Sequence, residues 1–198
     1  MAEKKRISLY QEQKVAKPLI EDFIPGWFDN DMKNLALDFT AHLRTKKMKP
    51  TWYLTNQWKA LCKGKIICRI SLNTWWSPPR EDTKWVVTAY LRHLKSYEEA
   101  IISENLQHLL WENVFFCVYK PADSLPPEEL RNYAGQIPCN NHGNCNPGKN
   151  ITVCDKELTN ICCNINRQFF WFRNPDQAAI EGIKRLLELE QQAREASI

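Results

Sequence analysis

The sequence predicts an α+β fold: a mixed sheet of about four strands with three helices and a Cys/His-rich loop region. Three observations carry this. Three segments show apolar residues at helical spacing. Four short runs are strand-like in pattern or composition. A run of cysteines and one histidine, Cys139, His142, Cys145, Cys154, Cys162 and Cys163, replaces regular patterning between 136 and 165.

The elements follow in chain order. Residues 1–28 read as an irregular segment ending in the turn-like Ile24-Pro25-Gly26-Trp27, and 29–198 as one α+β domain. Over 31–46, Met32, Leu35, Ala36, Phe39 and Leu43 form one helical stripe, with Asn30 or Asp31 as cap and Arg44, Lys46 and Lys47 at the negative dipole end. Ile66, Cys68, Ile70 and Leu72 alternate with Lys65, Arg69 and Ser71, which predicts a strand over 65–73 that Trp75-Trp76-Ser77-Pro78-Pro79 ends. A second strand is expected over 84–90. Ser96 and Glu99 have capping-box spacing ahead of a helix over 97–111 with Ile102, Leu106, Leu109 and Leu110 on its apolar face. A third strand, apolar on both faces, is expected over 113–119, and a fourth over 167–173. The three prolines of 121–127 mark the best internal boundary. The last helix is expected over 176–195, with Ile180, Ile183, Leu186 and Leu187 inward, a mixed-charge outer face, and the i,i+4 pairs Glu181–Arg185 and Glu190–Arg194.

Composition narrows the function classes. The chain has 198 residues, 43% of them hydrophobic, with 8 Trp, 8 Phe and 6 Tyr, which is too aromatic for a disordered protein. Only 6 Gly leave little room for Gly-rich phosphate loops, and a net charge of +4 does not compel a nucleic-acid partner. No apolar run follows Met1 to Arg6, and none reaches the ~18 residues of a membrane span, so neither export nor membrane insertion is expected. Thiols or metal ligands are then expected in place of disulfides. The same expectation sets aside two extracellular features, the EGF-like opening at Cys139–Cys145 and the sequon at Asn150.

Thiolates and an imidazole at short spacing are the donor set of tetrahedral zinc. Cys139, His142, Cys145 and Cys154 would fill a closed, structural shell, with Cys162 or Cys163 able to replace one member. Cys68 and Cys117 lie in strand-like runs and are expected in the core, and a second site at His108 and Cys117 is the minority reading. A zinc deaminase needs His-x-Glu, and no histidine here has Glu two residues on. No Walker loop, His-Glu-x-x-His or Gly-x-Ser-x-Gly occurs, and a Cys/His protease has no local signature, so no catalysis is expected. Trp85, Trp111 and Trp171 are expected in the core; Trp75 and Trp76, beside a Pro-Pro turn, are the interface candidates.

Several of these words share their order with one family. Lys63-Gly64-Lys65-Ile66-Ile67-Cys68 leads to Thr74-Trp75-Trp76-Ser77-Pro78. Glu104, Leu106 and Leu109 precede the run from Val114 to Val118. Cys145-Asn146-Pro147-Gly148 is followed by Cys154, and Asn166-Arg167 by Phe169-Phe170-Trp171-Phe172-Arg173. In this order, residues 62–173 resemble the adenovirus early-region-four regulatory proteins encoded by that region's sixth open reading frame. The pattern departs from the family in two places: the hydrophobic run holds only Cys117, and the last helix carries Glu181, Glu188 and Glu190 in place of an arginine face.

The resemblance implies a viral early regulatory adaptor of the host nucleus and cytoplasm. Such a protein recruits the host elongin–cullin ubiquitin ligase to host proteins, in company with a second viral early protein. The family's elongin contact is a short helix with Leu and, four residues on, Cys; Leu158 and Cys162 have that spacing, with Glu157 where a small residue is preferred. A small zinc-containing nucleic-acid-binding protein, using the basic residues from Arg44 to Lys49 and exposed tryptophans, is the alternative.

Overall fold

The computed structural model describes residues 8–72, 83–114, 149–161 and 170–197. The α+β class holds. Among the described residues there are six α-helices rather than three, and the main sheet has five antiparallel strands rather than about four in mixed directions.

The N-terminal segment, expected to be irregular, forms α1 (Leu9–Ala16) and α2 (Ile20–Trp27). A capping box starts α1: Ser8 accepts from the Gln11 amide while Gln11 reaches back to the Ser8 amide. Buried Gln13 then ties α1 to the sheet. Its Nε2 donates to Asn56 Oδ1 at 2.7 Å, and its Oε1 accepts from the Asn56 amide at 2.8 Å and from Trp52 Nε1 at 3.2 Å. Pro25 and Gly26 sit inside α2, where burial of Ile20 and Ile24 outweighs their poor helix propensity.

Helix α3 (Asn30–Thr45) matches its apolar stripe, with Ala36, Phe39 and Leu43 buried. Strands β1 (Thr51–Leu54) and β2 (Gln57–Cys62) follow, neither of them expected. A Lys63–Gly64 turn, both residues at positive φ, leads into β3 (Lys65–Leu72). Strand β4 (Trp85–Ala89) lies within its expected range.

The helix expected over 97–111 is broken. A 3₁₀ turn (Leu94–Tyr97) leads into α4 (Glu98–Ser103), and α5 (Gln107–Glu112) follows a kink where Asn105 takes φ 57°. Ser96 is not a cap, because its hydroxyl donates to the His93 carbonyl. Ile102, expected inward, is exposed, and Ile101 is buried in its stead. Of the strand expected over 113–119, Val114 makes one antiparallel bridge with Phe170, and 115–119 lie outside the described residues.

Strands β5 (Lys149–Val153) and β6 (Lys156–Ile161) form a separate hairpin in the region expected to be loop. Strand β7 (Phe170–Arg173) and helix α6 (Gln177–Ala196) complete the chain, with Asp176 capping α6 through the Ala179 amide at 2.8 Å.

The sheet order is β1-β2-β3-β4-β7. Register places Trp52, Trp58, Ile70, Val87 and Phe172 in one cross-strand row, and Ala60, Cys68, Ala89 and Phe170 in the next. This face belongs to the core. Phe23 of α2 meets Trp58, and Phe39 of α3 meets Trp85, both edge-on. The inward stripe of α6 closes the core as expected, with Ile180, Ile183, Leu186 and Leu187 fully buried. Gly182 permits close approach to α5: a Cβ there would stand 2.5 Å from Leu109 Cδ2.

Candidate functional site

The expected metal cluster straddles the β5–β6 hairpin. Cys139, His142, Cys145, Cys162 and Cys163 lie outside the described residues, as do the interface candidates Trp75 and Trp76 and the core candidate Cys117. Cys154 is described. It sits with Asp155 in the two-residue hairpin turn, both at positive φ (49° and 62°), the geometry of a type I′ connection. Its burial comes from the body of the domain. Glu98 of α4 accepts from the Cys154 amide at 2.7 Å, and Trp111 of α5 donates its Nε1 to the Val153 carbonyl at 2.9 Å. Lys156 stacks over the Trp111 ring at 4.7 Å, and His108 meets that ring edge-on. Burial, followed by the negative charges of Glu98 and Asp155, pushes the Cys154 thiol up to about 11. Among the described residues no three His, Cys, Asp or Glu side chains converge as a metal site.

The elongin pattern takes a different form here. Leu158 is not on a helix. It lies in β6 opposite Ile151 and is buried in the core, because hairpin pairing and the apolar floor under the turn hold this segment extended. The other expectations divide. Cys68 is fully buried on β3, its thiol pushed up to about 12 by burial, and Trp85 is buried; Trp111 and Trp171 are half-buried.

The second sheet face has its own chemistry. Register lines up Thr51, Lys59, Arg69, Thr88 and Trp171 across all five strands, and Arg173 stands on the same face opposite Val86. Lys59 sits 4.7 Å over the Tyr53 ring. The five strands contain no acidic residue. Thr88 and Ser71, in the middle of this face, are buried. By contrast, the basic segment expected to serve nucleic acid is partly neutralised within the domain. Arg44 makes a two-pronged pair with Glu21 (2.6 and 2.8 Å), and Lys46 pairs with Glu188 at 2.8 Å.

The most polar buried cluster is one that reasoning from the sequence missed. Glu190, fully buried, accepts from Arg194 Nε (2.7 Å), Tyr97 hydroxyl (2.8 Å) and the His93 amide (3.0 Å), with His93 Nδ1 also at 3.0 Å. Arg194 donates onward to the carbonyls of Tyr90, Lys65 and Ile66. The pair was expected from its i,i+4 spacing, which carries no direction; its inward setting shows in the bonds of Arg194 to the Lys65 and Ile66 carbonyls of β3. The other expected pair is exchanged: Glu181 binds Lys184, while Arg185 binds Glu104 and Glu188.

Burial acts to raise the Glu190 carboxyl, and the donors His93, Arg194 and Tyr97 outweigh it, so its pKa lies below the ordinary 4.5. A carboxyl depressed on folding contributes stability that is complete above its unfolded pKa and is lost as pH falls through the folded one. Urea titrations at about pH 6, 4 and 3 should therefore show the Glu190 contribution to stability lost only below about 4.5, so Glu190→Gln should leave the curve above that pH unchanged in shape and make the fall below it shallower. An equally steep acid limb in the variant would assign the acid sensitivity to other carboxyls.

Comparison with family models, curated proteins and solved structures finds no match for this chain. No helix among the described residues is long and apolar enough to cross a membrane.

Proposed function

We propose that this chain is a viral regulatory adaptor without catalysis of its own. In this reading it carries a structural zinc and recruits a host elongin–cullin ubiquitin ligase to host proteins in the nucleus and cytoplasm. Two things support the reading: the ordered words shared with the adenovirus early-region-four proteins, and the hairpin. The observation that carries it is the register of β5 and β6. Lys149 stands opposite Ile161, so Cys145, four residues before β5, and Cys162 and Cys163, directly after β6, are tethered to the same end of one hairpin. Cys139 and His142 precede by a few residues more. A hairpin that gathers both halves of a Cys/His cluster is an economical scaffold for a tetrahedral ion. Zinc would supply cross-linking there, fixing two chain segments that carry few apolar residues.

Purified chain mixed with purified elongin–cullin components should co-elute as one complex, and its capture should change little with salt. Separate elution at every salt concentration would sink the adaptor reading. The contact is not assigned to Leu158, whose side chain is buried. Trp75 and Trp76 remain the proposed partner residues.

One observation favours the alternative, a nucleic-acid-binding protein: Lys59 stands over the Tyr53 ring on a sheet whose five strands contain no acidic residue. Each phosphate contact to a single strand would lower affinity about 2.6-fold between ~50 and ~200 mM salt. Oligonucleotide binding that follows this slope and weakens in Lys59→Ala would replace the adaptor reading.

A further inference from the structure

We propose that the seam between α3 and α6 is a proton-sensitive latch, closed while the His42 ring is neutral and loosened when that ring takes up a proton.

Helices α3 and α6 pack directly on one another. Leu43 of α3 and Ile183 and Leu187 of α6 are fully buried. The polar part of the seam gathers at Glu188 of α6. Lys46, just past the end of α3, places Nζ 2.8 Å from Glu188 Oε1, and Arg185 places Nη1 3.5 Å from Oε2. Gln191 of α6 donates to the Lys46 carbonyl at 3.2 Å. His42 faces the same carboxylate. Its side chain is 17% exposed, and its Nε2 stands 3.6 Å from Glu188 Oε1, outside hydrogen-bond distance. That nitrogen is buried and has no hydrogen-bond partner among the described residues.

The surrounding charges decide what a proton on this ring does. Both oxygens of Glu188 already hold a cation. Glu181 of α6 and Asp38, one turn before His42 on α3, are both taken by Lys184. Arg185 is shared with Glu104. A proton on Nε2 therefore adds a cation where every nearby carboxylate is already engaged, and it puts charge on a ring largely withdrawn from water. Burial pushes the His42 pKa below the ordinary 6.5; Lys184 and Lys46 push the same way, against Glu188 and Glu181. A histidine depressed on folding contributes stability that is complete above its unfolded pKa and is lost as pH falls through the folded one. This window, between about pH 7 and 5, is one that ordinary carboxyls do not reach. It lies above the one in which Glu190 is protonated.

The test uses the full chain. Urea midpoints measured from about pH 7.5 to 5.2 should fall with pH in the wild type and stay level in His42→Gln, which leaves His93 and His108 in place. The wild type gives a second readout that needs no variant: the NMR titration of the His42 ring should have its midpoint below 6.5. Lys46→Met gives a third, because it returns Glu188 Oε1 to the ring. It should move that midpoint up and shrink the fall in stability. A His42 midpoint above 6.5 in the wild type would overturn the proposal, since Glu188 would then be gripping the charged ring. A level wild-type midpoint, or a fall of the same size in His42→Gln, would overturn it as well.

Discussion

Replacing Glu190 by alanine is expected to cost about 3–5 kcal/mol of folding stability, the effect of removing one partner from a buried ion pair. The magnitude follows from what is left behind. Arg194, itself nearly fully buried, keeps its carbonyl partners Tyr90, Lys65 and Ile66 but loses its counter-charge. Tyr97 and His93 lose their acceptor in the same step. Each stranded donor adds a desolvation penalty of about 1–3 kcal/mol, not all of it additive. Two comparisons separate charge from shape. Glu190→Gln keeps an acceptor and should cost less. Glu190→Leu with Arg194→Met removes both charges and should cost less than Glu190→Ala alone, because no uncompensated ion remains. Urea unfolding gives the answer as a shift in midpoint at unchanged slope. A loss under about 1 kcal/mol for Glu190→Ala would mean that water reaches the cluster and that α6 is not locked to the sheet through it.

What could be read from the sequence and what could not divides along physical lines. Helices α3 and α6 and strand β3 were legible because each buries one face of a long, regular pattern, and pattern is a local property. Strands β1 and β2 were missed although Trp58, Ala60 and Cys62 alternate with Lys59 and Leu61. Leu61, apolar at an alternate position, blurs the two-residue period of β2, and β1 is only four residues long. Helices α1 and α2 are eight residues each, shorter than a period can establish. The Ser8–Gln11 capping box was there to be read, but the Gln13 anchor is tertiary. The 97–111 segment fails for the opposite reason: its periodicity is genuine, but Asn105 breaks the helix and rotates Ile101 inward in place of Ile102. In the candidate site, spacing could nominate six ligands and could not rank them, because spacing along the chain says nothing of strand pairing. That Cys154 sits in a hairpin turn, at the opposite end from Lys149 and Ile161, follows only from the pairing of β5 with β6.

The N-terminal helices supply the second large effect. Trp58→Ala is expected to cost about 3–5 kcal/mol, the usual range for deleting a buried large aromatic side chain. Trp58 is fully buried in the middle of the cross-strand row, between Trp52 and Ile70. Its indole also reaches out of the sheet. Nε1 donates to the Pro18 carbonyl at 2.8 Å, in the link between α1 and α2, and its ring receives Phe23 of α2 at 5.4 Å. Truncation therefore leaves a cavity on the helix-bearing face and detaches the segment that covers it. Two measurements should move together: the global unfolding midpoint, and the rate of limited proteolysis between Leu9 and Phe28. Trp58→Phe keeps most of the ring and loses the indole donor. It should cost about 1–3 kcal/mol, the price of the orphaned carbonyl and the missing ring volume, and should leave the segment protected. If Trp58→Ala instead leaves the N-terminal segment as resistant to protease as the wild type, Gln13, the Glu21–Arg44 pair and buried Ile20 and Ile24 hold it without the indole, which is then a packing residue with no part in docking α2.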